Sequence, residues 1–170
     1  MTIATIATYT ALGLAALTAA TYALPRHVSV ERSATVAATP EAVLALAASN
    51  SGFQTFNPYK SRDPELKIGL YGPEAGVGSG FTFDGKDGKG RQTVSEVTPE
   101  RVVFAIDMGP MGKPTQLIEA KPTAEGTHVI WRVESDMGLN PVFRVFGLFM
   151  DGMMGPTFEL GLENIAKATA

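Results

Sequence analysis

Few side chains in this 170-residue chain can do covalent or acid–base chemistry, and their spacing suits few mechanisms. His27 and His128 are the only histidines. A serine triad needs a base oriented against a nucleophile, and a zinc site needs three or four convergent ligands. His128 alternates out of phase with Trp131, so it should face solvent together with Ile130, Arg132 and Glu134. His27 follows an apolar segment and reads as an interfacial polar group. Cysteine is absent, which removes disulfides, thiolate nucleophiles and Cys-ligated zinc. The run Gly76-Val77-Gly78-Ser79-Gly80 lacks the Gly-Lys-Ser/Thr ending of a phosphate loop. It leads into the strand-like Phe81 and Phe83 rather than into a helix, so it reads as a turn. No metal and no cofactor is expected.

Carboxylates are the remaining route to proton transfer. Glu96 is the one weak catalytic candidate. On the Gln92–Val94–Glu96 face it would point inward, whereas Val97 argues for the opposite phase. Asp107 is out of phase with Phe104 and Ile106, and Asp84, Asp87 and Lys89 belong to a solvated hairpin. The formal charge of −3 is carried entirely at or beyond Arg26, with no basic cluster. Nucleic acid, which selects clustered Lys and Arg, is therefore not an expected partner.

These groups need elements to hold them. Val28, Val30, Arg32, Ala34 and Val36 alternate with polar neighbours as a strand. Thr39 and Pro40 then open a helix as N-cap and first helical residue. A second short helix or turn follows over residues 50–59. Leu66-Ile68-Leu70, Phe81-Phe83, Arg91–Val97, Val102–Met108, Thr115–Lys121 and Thr127–Asp136 read as strands separated by Gly/Pro turns. Short connections make them an antiparallel meander. Beyond residue 140 the period changes: Phe143, Phe146, Met150, Met153, Met154, Phe158, Leu162 and Ile165 mark a long helix with one apolar face. Gly155-Pro156 is expected to kink or break it.

The first 24 residues are different. Ile3 to Leu24 is uncharged, diluted by six threonines (counting Thr2) and eight alanines. At about 1.5 Å per residue a helix of this length reaches roughly 33 Å, enough for a bilayer core of about 30 Å. A cleaved signal would carry a basic leading region, which is missing. The expectation is an anchor over 1–26, ended by Pro25, and a body over 27–170. Arg26 and Arg32 follow the span and place the body on the cytoplasmic side. Export after signal cleavage is the alternative.

An apolar face of Phe and Met is most simply a core. Methionine, however, is overused where a surface adapts to variable apolar shapes, and Gly147, Gly155 and Gly161 would leave gaps beside the stripe. Spacing alone leans toward the solid core.

A resemblance shifts the balance. Phe53-Gln54-Thr55-Phe56-Asn57-Pro58-Tyr59 resembles a Trp-x-x-Trp-x-Pro-Trp segment, with Phe and Tyr in place of the tryptophans. Gly72-Pro73-Glu74-Ala75-Gly76-Val77-Gly78 is similar to a Gly-Pro-x-x-Gly-x-Gly turn. Gly155–Leu162 resembles a closing-helix pattern. All three occur, in this order, in the polyketide cyclase/dehydrase-type subgroup of the SRPBCC (START-like) superfamily. The resemblance covers residues 27–168 and implies an α+β helix-grip fold, a curved antiparallel sheet of six to seven strands around a long C-terminal helix. It also implies a cavity for a small hydrophobic molecule, a lipid or an aromatic metabolite. Its expected lining is Phe53, Phe56, Tyr59, Phe81, Phe83, Phe104, Met108, Trp131, Met150, Met154 and Phe158. Two alternatives stay open: a cyclase- or dehydrase-like enzyme with a cavity carboxylate, and a structural or assembly protein that binds nothing.

Overall fold

Alternation of apolar and polar residues builds most of the architecture, seen in a computed structural model that describes residues 2–170. In chain order the elements are α1 (Ile3–Thr21), β1 (His27–Val36), α2 (Pro40–Ala48), α3 (Asn50–Phe56), α4 (Pro58–Arg62), β2 (Lys67–Tyr71), β3 (Gly80–Gly85), β4 (Gly88–Val97), β5 (Arg101–Asp107), β6 (Thr115–Thr123), β7 (Gly126–Asp136), α5 (Pro141–Gly147) and α6 (Met150–Ala168). A 3-10 turn at Gly109–Met111 joins β5 to β6. The strands form one antiparallel sheet in the order β1-β7-β6-β5-β4-β3-β2. The helical crossover between β1 and β2 carries the chain from one sheet edge to the other. This is an α+β helix-grip fold.

The pleat sends Val30, Val94, Val102, Phe104, Ile118, Val129, Trp131 and Val133 to one face, where all are buried. α6 packs along β1, α2 covers β5 and β6, and α3 touches α2, α6 and β2. Each short helix of the crossover has its own cap. Thr39 Oγ1 accepts from the Ala42 amide at 3.3 Å, Ser49 Oγ from Gly52 at 3.0 Å, and Asn57 Oδ1 from Tyr59 at 3.0 Å. Three caps permit three helices where the sequence suggested two, because Ser49 and Asn57 each end one turn and start the next.

Three further expectations need adjusting. The first concerns the C-terminal helix, which breaks at Leu148-Phe149, eight residues before Pro156. Pro156 lies inside α6 without ending it. It lacks the amide hydrogen that would bond the Gly152 carbonyl, yet the helix continues through it to Ala168. Second, the sequence left the phase of the third strand open. The register of β4 against β5 shifts between Val94 and Glu96, a bulge at Ser95. Beyond it Glu96 pairs with the outward Val103, so Glu96 turns away from the concave face. Third, α1 ends at Thr21, four residues short of Pro25, and none of its residues is buried. It is long and apolar enough to cross a membrane.

Candidate functional site

The concave face gathers the aromatic residues singled out in the sequence. Phe53 is their centre, its ring centroid 4.7 Å from Phe56, 5.2 Å from Phe81, 5.6 Å from Phe104 and 6.0 Å from Trp131. Trp131 also meets Phe56 edge-on at 5.7 Å and stacks on Phe158 at 5.2 Å with planes 12° apart. Tilted and edge-to-face pairs at these distances are the favoured aromatic geometries. Phe81 extends the chain of rings to Phe83 at 6.4 Å. The short α3 supplies Phe53 and Phe56 from above, the sheet supplies Phe81, Phe104 and Trp131 from below, and α6 supplies Phe158 from the side.

Of the expected lining, Phe53, Phe56, Phe81, Phe104, Trp131, Met150 and Phe158 are buried. Phe83, Met108, Met154 and Tyr59 are half-buried. Tyr59 sits on α4, which closes one end of the sheet over the β3–β4 hairpin. The Lys86 amide and Nζ donate to Asp63 Oδ2 (2.8 Å) and to the Arg62 carbonyl (2.5 Å), and Arg62 in turn donates to Thr157 Oγ1 on α6. Burial pushes the Tyr59 hydroxyl up to about 12, with nearby Arg62 opposing the rise.

The room expected beneath α6 is occupied. Trp131 and Phe158 fill it by stacking, and beside them a small, partly open void bounded by α2, α3, β3, β4 and β5 has a volume of about 10 Å³, enough for about one water. The glycines that promised gaps instead admit sheet side chains: a Cβ on Gly161 would overlap the Trp131 ring, one on Gly155 the Arg32 guanidinium, and one on Gly147 would press on Val28 and Met137. Small residues on the helix are the sockets into which β1 and β7 insert. The interior is therefore a filled aromatic cluster, closed in this conformation.

Polar groups within it are sparse, and sequence reasoning missed the ones that matter. Gln92 and Gln116 are both buried on the concave face, Gln116 Nε2 donating to Gln92 Oε1 at 3.4 Å. Gln92 borders the small void together with Asn50 and Ser79. Asn50 and Ser79 spend their side chains on the backbone, Asn50 on Tyr71 and Pro73 and Ser79 on Glu74. The signal for Gln116 was present, since it interrupts an apolar alternation with Ile118 and Ala120. Trp131 contributes the other anomaly. It is fully buried, and its indole N–H finds no acceptor among the described residues. Glu96, the weak catalytic candidate, is bound to Arg101 at 2.8 Å on the exposed face. His128 is half-buried, paired across the sheet with Thr35 and Lys121 on the side away from Trp131.

A family model described as polyketide cyclase / dehydrase and lipid transport matches residues 27–170. No curated protein matches the chain. Among solved structures, a truncated norcoclaurine synthase from Thalictrum flavum is 15% identical with a TM-score of 0.64, covering 83% of this chain and 92% of that one. The di-domain ARO/CYC StfQ from the steffimycin biosynthetic pathway is 13% identical with a TM-score of 0.62, covering 84% of this chain and 50% of that one. A structural-genomics protein from Chromobacterium violaceum is 15% identical with a TM-score of 0.60, covering 84% and 97%. At these identities the likeness speaks for the fold.

Proposed function

The chain belongs to the polyketide cyclase / dehydrase and lipid transport family, and from that membership we propose that it binds a small hydrophobic molecule, a lipid or an aromatic metabolite, between sheet and closing helix while α1 holds it to a membrane. The observation that carries this reading is the indole N–H of Trp131, unpartnered inside a cluster of rings. A buried donor without an acceptor costs about 1–3 kcal/mol. A mostly apolar molecule with one oxygen acceptor would relieve that cost and keep the rest of its surface against rings. Since the closed interior has room for about one water, entry requires movement. The seven-residue α3 brings in both Phe53 and Phe56, so its displacement would free space at the centre of the cluster.

The tether rests on a second contact. Arg144 is buried, and its guanidinium donates to the carbonyls of Tyr22 at 2.9 Å and Leu24 at 3.0 Å. Removal of the segment through Leu24 would strip a buried cation of two acceptors, a costly change. Retention of α1 in the mature protein keeps that cation satisfied.

The filled interior also favours a second reading, a structural module that binds nothing in its core. Trp131 is the only tryptophan, so intrinsic fluorescence reports on this site alone. Titrating the full chain with fatty acids, isoprenoid quinones and planar polyphenols should give a saturable change in Trp131 emission for at least one class. Unchanged emission with all three would remove the binding reading and leave the structural one.

A further inference from the structure

We infer that α5 and the start of α6 form a second membrane contact, lying in the headgroup region of the same bilayer that α1 enters. The inference rests on the reading of α1 as a membrane span and adds a surface that this reading does not require. From Met137 to Pro156 the chain carries two charges, Arg144 and Asp151. Both are committed within the protein: Arg144 to the carbonyls of Tyr22, Leu24 and Gly138, and Asp151 to Arg32. What remains outward is apolar. Leu139 and Val142 are each 69% exposed, Phe149 61%, Leu148 57%, Met153 54% and Phe146 44%. These residues run without a break from the turn before α5, through α5 and the Leu148-Phe149 turn, into the start of α6. Exposed apolar surface this concentrated marks an interaction site.

Its position selects the occupant. Arg144 ties α5 to the carbonyls of Tyr22 and Leu24 just past the end of α1, with its guanidinium 5.4 Å from the Tyr22 ring centroid. Arg26 makes a paired contact with Asp136 at 2.7 Å just before α5 begins. If α1 spans, half-exposed Tyr22 falls at the interface where aromatic residues concentrate, and α5 lies within one arginine side chain of that level. A short helix whose single charge, Arg144, is buried, with Phe146 outward and exposed Leu139 and Leu148 at its ends, then rests its apolar face several ångströms into the headgroup boundary. The same end of the sheet carries exposed Met111 beside Lys113, so the neighbouring rim also offers an apolar side chain and a cation to the surface.

The absence of native cysteine permits single labels. Full-length Leu12→Cys, Phe149→Cys and Glu125→Cys variants, each carrying an environment-sensitive NBD probe, would be reconstituted into phosphatidylcholine vesicles containing doxyl-labelled lipid. Glu125 lies at the far end of the β6–β7 hairpin. The expectation is strong quenching at 12 by deep doxyl groups, several-fold stronger quenching at 149 than at 125 by shallow ones, and almost none at 125. Quenching at 12 with none at 149 overturns the second contact and leaves the anchor intact. A blue-shifted but unquenched probe at 149 also overturns it, since a protein surface then covers α5. No quenching at 12 removes the anchor and this inference with it.

Discussion

Phe53 touches four other rings, so its side chain decides whether the interior is closed. Phe53→Ala should cost about 3–5 kcal/mol by urea unfolding, the usual penalty for removing a buried aromatic ring. It should also open a cavity large enough to strengthen binding of small aromatic probes, read by Trp131 fluorescence. A loss near zero would mean that α3 is not held by this ring. Gly161→Ala acts in the opposite sense, forcing a methyl group against Trp131. Overpacking of this kind costs about 1–3 kcal/mol, and the altered Trp131 environment should show in its emission. Much of this site was legible in the sequence, because Phe81, Phe104 and Trp131 declare their face by alternation and Phe158 by helical spacing. The glycines were misleading, since the spacing of Gly155 and Gly161 shows where a Cβ is missing and not which strand fills the gap. The phase of Glu96 was undecidable, because a one-residue bulge reverses the face and leaves no mark in composition.

At the scale of elements, the junction between α1 and the body is held by charge. Arg26 grips Asp136 with two hydrogen bonds, and the Gly138 amide adds a third, holding the Asp136 carboxyl well below the usual carboxylate range. A depressed carboxylate pKa stabilises the folded state fully above the unfolded value of about 3.9, and that stabilisation is lost as pH falls toward the folded value. Unfolding midpoints of the wild type and Asp136→Asn should therefore differ by a constant amount above about pH 5 and converge below about pH 4. A difference that persists unchanged into acid would show that the pair does not hold the junction. The elements themselves followed closely from alternation and turn residues: the seven strands, the Thr39-capped α2 and the apolar first helix. The break at Leu148-Phe149 did not, because no proline or polar cap marks it. Gly147 seats against Val28 and Met137, and the chain turns there to bring α6 onto β1.

For the whole molecule, fold and family are firm, and the interior is closed around its own rings. If the protein binds as proposed, displacement of α3 has to open this interior before an apolar molecule can enter. On the proposed reading, binding, tether and exposed apolar helix would serve one arrangement at the bilayer surface. The decisive measurement is native mass spectrometry of the full chain, released from host membranes in mild detergent and followed by identification of whatever dissociates from it. One apolar molecule per chain, carrying an oxygen acceptor and lost on Trp131→Phe, is the predicted result. A ligand-free mass in preparation after preparation, together with unaltered stability on adding lipid extract, would contradict binding in this interior.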